Sequence, residues 1–202
     1  MVVWGKGYTQ RILRWVVRFR KRKGYGVHSP FAFNLIRGVV YENGIFYAYK
    51  DLEHTFRQNQ KQGIEQWRLK DYKLLFRLAN FQQANVGWMV GRSDDQMLRQ
   101  ALSKGCRHTV YELIKSTCNA SKDKADLIIL AEEWQGNEAL AYLRCLNMGG
   151  MLIVKNVGSK HKPAWHLLLQ QPQAQVTFNL YDFGIILYRP ELQRQHYVVN
   201  YL

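Results

Sequence analysis

The residues best placed to do chemistry lie in Asn85-Val-Gly-Trp-Met-Val-Gly91-Arg-Ser-Asp-Asp95. Val86 to Val90 reads as a short apolar strand, Gly91 permits a tight turn, and Ser93 to Leu102 reads as a helix. Such a strand-turn-helix unit aims backbone N–H groups and the positive end of a helix dipole at whatever lies above the turn, as a nucleotide-cofactor loop does. Two residues suit that task poorly. Met89, two before Gly91, stands where a carboxylate would be useful, and Asp95, four after it, stands where a second glycine would let a ligand come close. Gly91 with Ser93 could still form a cradle, although a turn glycine followed by a helix-capping serine explains the same pair.

Other candidates are weaker. Glu112, in Val110-Tyr-Glu-Leu, is a strand-end carboxylate that could accept ligand hydroxyls or simply be solvated. His28 beside Ser29 suggests nucleophilic catalysis, but adjacent residues rarely present a base to a hydroxyl, and capping a helix suffices for Ser29. Glu132-Glu133 reads as solvated charge, because loop neighbours point apart. Tyr41, Phe46, Tyr47 and Tyr49 could line a pocket or pin helices to the domain.

A different chemistry is written in the first 41 residues, which hold nine of the 29 Lys and Arg residues and none of the acids; the first acid is Glu42. Most of the formal net charge of +14 therefore belongs to this segment. Residues 9–22 read as an amphipathic helix with Arg11, Arg14, Arg18 and Arg22 along one face and Ile12, Trp15, Val16 and Phe19 beside it. The arginine face could meet phosphates of nucleic acid or anionic lipid headgroups, and Trp15 and Phe19 would suit a membrane interface; packed on the domain, it would leave its arginines in water.

These residues must be positioned by a core, and 202 residues with 47% apolar content are enough for one. Ser29-Pro30 starts a second helix, residues 51–62 and 66–81 read as two more, and the chain then alternates. Strands are predicted at 86–90, 108–113, 126–131 and 150–155, with helices at 94–103, 136–146 and 161–170. Alternation of this kind implies a parallel sheet with right-handed crossovers. Residues 176–181 and 184–188 form an antiparallel hairpin that closes it, with a last strand-like piece at 196–201. The expected organisation is a helical extension over 1–80 and an α/β domain over 81–202. Three scattered cysteines, Cys106, Cys118 and Cys145, read as small buried apolar residues of a reducing compartment. With no membrane-spanning run and no charge-then-apolar order of a signal peptide, the sequence reads as soluble and cytoplasmic, with a membrane-peripheral location open to it.

A mostly parallel, Rossmann-like sheet finished by an antiparallel hairpin, with helices ahead of its first strand, resembles the class I S-adenosylmethionine-dependent methyltransferases, most closely small O-methyltransferase-like proteins. A finer resemblance is to a methyltransferase-like group typical of Bacteroidetes. It rests on Gly24-Tyr-Gly-Val-His28-Ser29-Pro30-Phe31, on Leu74 to Leu78, and on Asn179-Leu-Tyr-Asp-Phe-Gly-Ile-Ile-Leu-Tyr188. The resemblance implies a cofactor, S-adenosylmethionine, held at the strand ends by Gly91, Ser93 and Glu112. It also implies what is absent. The family's first strand ends as Glu-x-Gly-x-x-x-Gly, and here Met89 and Asp95 replace the acid and the second glycine. Only 13 residues, 113 to 125, follow Glu112 before Asp126, too few for the helix and third strand that usually pack against adenine. At the next two strand ends, Ala131, Trp134, Lys155 and Asn156 stand where the resembling group has acids and a histidine, so no metal site is expected.

Two functional readings follow. One is a methyltransferase acting on a small acceptor. The other, which these combined losses favour, is a non-catalytic descendant that keeps the sheet and binds an anionic partner, lipid surface or nucleic acid, through residues 9–23.

Overall fold

In the computed structural model, residues 6–64, 67–91, 94–115, 123–131, 134–158 and 161–201 are described, with backbone alone for 6–11. The helices are α1 (Lys6–Val17), α2 (Pro30–Leu35), α3 (Ala48–Lys61), α4 (Leu69–Gln82), α5 (Gln96–Gly105), α6 (Gly136–Arg144) and α7 (Lys162–Leu169). The strands are β1 (Val86–Val90), β2 (Val110–Ile114), β3 (Ala125–Leu130), β4 (Leu146–Lys155), β5 (Val176–Asn179), β6 (Phe183–Leu187) and β7 (Gln195–Val198).

They form one seven-stranded sheet in the order β2-β1-β3-β4-β6-β5-β7. The pairs β1–β2, β1–β3 and β3–β4 are parallel, whereas β6 runs antiparallel to both β4 and β5. The chain is therefore α/β with a Rossmann-like sheet, mostly parallel and closed by a C-terminal hairpin. β7 pairs parallel to β5, so the last strand-like piece extends the sheet by one edge. Among the described residues the opposite edge is β2, and residues 116–122, within the interval expected to be too short for the adenine-packing helix and strand, lie outside them.

Each sheet face buries its own helices. On one side α2 to α5 pack through Leu35, Leu52, Leu74, Leu78, Leu98 and Leu102 against Met89, Leu127, Ile129, Ile153 and Ile185. On the other, α6 and α7 pack through Tyr142, Leu143, Trp165 and Leu168 against Trp88, Ile128, Leu152 and Ile186. Alternate residues along each buried strand serve opposite cores, which is why these strands read as continuous apolar runs.

Local rules account for the helix boundaries. Ser29 caps α2, its hydroxyl accepting from the Ala32 N–H, and Pro30 takes the first helical position. After Leu35 the helix widens into a π turn, Ile36–Val40. The buried guanidinium of Arg77 donates to the Val39 and Val40 carbonyls there and to the Tyr49 hydroxyl. The expected N-terminal helix ends early, at Val17, with a 3₁₀ turn over Phe19–Lys21. Cys106 is a buried free thiol while Cys145 is disulfide-bonded, which departs from three unpaired cysteines.

Candidate functional site

The carboxyl ends of β1, β3 and β4 open onto a cavity of about 760 Å³. Val90, Gly91, Ala131, Lys155 and Asn156 line its sheet side, Asp94 to Leu98 come from the start of α5, and Trp67, Arg68, Asp71 and Tyr72 come from the start of α4 and the residues just before it. Asp182, from the turn between β5 and β6, and Phe183, the first residue of β6, also line it, with Asn59 and Ile64 from the end of α3 and beyond. This is the position above a parallel sheet at which ligands bind.

The lining holds four aspartates, Asp71, Asp94, Asp95 and Asp182, against the cations Arg68 and Lys155. Such an excess of acid favours a cationic ligand, yet each carboxylate already has a partner. Arg68 donates to both oxygens of Asp71, at 2.9 and 2.7 Å, and to Asp182 at 2.5 Å. Burial opposes the Arg68 charge, and the two carboxylates outweigh it and raise its pKa. Both Asp94 oxygens accept from Arg99 Nε, at 3.0 and 3.1 Å.

Asp95 is the N-cap of α5: its Oδ1 accepts from the Leu98 N–H at 2.9 Å. Its Oδ2 accepts from the Tyr72 hydroxyl at 3.3 Å, and burial followed by the Asp95 charge pushes the Tyr72 pKa up. The Lys155 ammonium lies 3.8 Å from the centre of the Trp67 ring, which in turn stacks on Tyr72.

Against this geometry, the sequence-derived residues separate. Gly91 lines the cavity, its N–H donating to the Ile114 carbonyl at 3.2 Å. Ser93 lies outside the described residues, and the cap of the following helix is Asp95. Glu112 is exposed and does not line the cavity; it is paired in register with Trp88, on the opposite sheet face from the lining residue Leu113. Met89 lines the cavity from a nearly fully buried position. Trp134 does not enter it: its indole N–H donates to the Lys155 carbonyl and its ring stacks on His161. Among the described residues no group of three or more His, Cys, Asp or Glu converges as a metal site.

The N-terminal arginines also separate. Arg18 donates to the carbonyl and side-chain oxygens of Asn179, at 3.3 and 3.1 Å, and lies 5.3 Å over the Tyr181 ring, which Arg14 also faces. Burial and then the neighbouring Arg14 lower the Arg18 pKa. Arg22 turns back over Phe19, 3.9 Å from the ring centre. The Arg11 side chain lies outside the described residues. Phe46 and Tyr49 pack on Phe76, and with Tyr41 they also line a second cleft of about 540 Å³.

The chain is similar in structure to the SAH-bound methyltransferase PaMTH1 of Podospora anserina, with a TM-score of 0.51 over 94% of this chain and 98% of that one. The fold is that of a class I methyltransferase. At 11% sequence identity the likeness establishes the fold and nothing finer. No protein-family profile and no curated protein sequence matches the chain.

Sequence reasoning missed Trp67, Arg68, Tyr72 and Asp182 as cavity residues. The tail motif held the available signal. Asn179, Tyr181 and Asp182 sit on one turn, and the resemblance had marked that turn without giving it a role.

Proposed function

We propose that the chain is a catalytically degenerate methyltransferase-fold protein, of the group its end motifs resemble, that acts as a binding protein through the basic segment 9–23. The supporting observation is that every described carboxylate lining the cavity is already engaged by a side chain or backbone group of the protein.

S-adenosylmethionine offers an ammonium and a ribose diol, and both need free acceptors. Where the family places a strand 1 acid, this chain has the buried thioether of Met89. From β2 it is Leu113 that faces the cavity, and Glu112 lies on the other side of the sheet. Lys155 adds a positive charge to the sheet side of the lining. The space is adequate for such a ligand, but the polar complement does not match it.

The open cavity favours one competing reading, an active S-adenosylmethionine-dependent methyltransferase on a small acceptor, with Gly91 and Ser93 at the cofactor. Calorimetry separates the two. On the degenerate reading, millimolar S-adenosylmethionine gives no saturable heat, whereas micromolar binding overturns that reading. Glu112→Ala leaves either result unchanged, because Glu112 does not reach the cavity.

A further inference from the structure

The N-terminal segment is fixed to the body through Arg18 and the backbone of Trp15 and Lys21. Arg18 faces inward to Asn179 and Tyr181, the Trp15 carbonyl accepts from the Asn200 side chain, and the Lys21 carbonyl accepts from the Asn200 N–H. With this docking, the apolar side of α1 is left in solvent. Leu13 is 66% exposed, Val16 57% and Val17 79%, with Phe19 and the edge of Trp15 continuing the strip. A contiguous apolar face of this kind on a short amphipathic helix marks an interaction surface.

Its border is cationic. Arg20, Lys21 and Lys23 are exposed next to it, and no acid occurs before Glu42. We propose that this face seats the protein on an anionic lipid surface, α1 lying in the headgroup plane with Leu13, Val16 and Val17 inserted and Arg20, Lys21 and Lys23 on lipid phosphates. The proposal rests on the reading of residues 9–23 as the binding segment and names its partner class.

Three observations favour lipid. A nucleic acid duplex would meet the exposed cations but offers no apolar partner to Leu13, Val16 and Val17, and Arg18 is engaged with Asn179. A second copy would bring two like-charged borders together across a two-fold axis. An anionic bilayer takes both the apolar strip and its cationic border at once. At 12 residues, α1 is too short to cross the membrane, and no described helix is long and apolar enough to do so.

The test is flotation of the full chain with phosphatidylcholine vesicles containing about one third phosphatidylglycerol, compared with phosphatidylcholine alone and with a DNA duplex at the same salt. We expect binding to the anionic vesicles that weakens as salt is raised. Leu13→Asp with Val17→Asp lowers the partition coefficient by roughly tenfold or more, and Arg20→Ala or Lys21→Ala lowers it about fivefold each. All four side chains are exposed, so thermal melts of the variants should match the parent. Unchanged partitioning of the double acidic variant overturns the proposal. Binding to the duplex but not the vesicles overturns it while leaving the anionic-partner reading intact. Binding to neither removes both. Self-association that the double variant abolishes, without vesicle binding, assigns the face to a second copy and also overturns the proposal.

Discussion

Substitutions at Asp95 decide whether this residue is a spoiled cofactor contact or a structural cap. The backbone at Asp95 is extended, its Oδ1 accepts from the Leu98 N–H at 2.9 Å, and its Oδ2 accepts from the Tyr72 hydroxyl at 3.3 Å. Removing an N-cap costs about 1 kcal/mol, and removing a negative charge from a helix N-terminus costs a further 0.3–1 kcal/mol or so. The hydrogen bond from Tyr72 is long, so its loss adds about 0.5 kcal/mol, the low end for a net hydrogen bond. Asp95→Ala should therefore destabilise the protein by about 2 kcal/mol. For a domain of this size, that lowers Tm by roughly 4–8 °C. Asp95→Asn keeps the cap and loses only the charge, so it should cost less than half as much. Asp95→Gly restores the glycine of the resembling family and should cost little more than the lost charge and the Tyr72 contact, since glycine is a tolerable cap. Urea and thermal denaturation measure the order Ala, then Gly and Asn, then parent. Calorimetry on the glycine variant should still show no saturable S-adenosylmethionine binding, because Met89 and Leu113 are unchanged. The reasoning fails if Asp95→Ala is as stable as the parent, or if Asp95→Gly acquires cofactor binding.

Two further substitutions probe the packing of α4 on α5 and the start of the sheet. A Cβ at Gly105 would lie 2.4 Å from the Phe76 carbonyl oxygen, a backbone atom that cannot swing aside, so Gly105→Ala should separate α4 from α5 and cost about 1–3 kcal/mol in urea unfolding. Asp126 accepts from the Asn85 and Val86 N–H groups and from the Asn147 side chain; burial opposes its charge, and these three bonds outweigh it and hold its pKa below the ordinary carboxylate value. Its contribution is therefore present above about pH 4, the unfolded carboxylate value, and is lost as pH falls through the lower folded value. Asp126→Asn should cost about 1 kcal/mol at neutral pH, discounted for solvent exposure, and the gap from the parent should narrow in acid.

The fold was legible because its signals are local and repeated. Strand and helix alternation from Val86 onward, Ser29-Pro30 at a helix start, and the hairpin after Val176 all follow from periodicity and capping chemistry. The parallel pairing of β7 was not legible, since a short alternating strand does not encode its partner. The cavity was half legible. Gly91, Ala131 and Lys155 lie at strand ends, where topology alone places them. Trp67, Arg68 and Tyr72 come from the start of a helix that the sequence marks only as buried, and Asp182 reaches them across 114 positions of sequence separation. Glu112 illustrates the limit of strand-end reasoning. A displacement of one residue along β2 changes the face, so the carboxylate falls beside Trp88 while Leu113 faces the cavity.

The arginine stripe shows what helical spacing leaves open. Spacing places Arg14, Arg18 and Arg22 on one helical face but cannot say whether that face meets water or protein. The turn after β5 decides it. Asn179 Oδ1 accepts both from Arg18 and from the Tyr181 N–H, and the positive φ of Tyr181 presents its ring to Arg14 and Arg18. Gly158 makes room for that ring, since a Cβ there would lie 2.2 Å from it. The next residue, Asp182, closes the cavity through Arg68. One turn therefore seats the N-terminal helix and walls the cavity. Once Arg18 is committed to that turn, the opposite face of α1 is exposed, and that face carries apolar side chains. The binding surface follows from where Arg18 is held, because that docking leaves the apolar side chains of Leu13, Val16 and Val17 facing solvent.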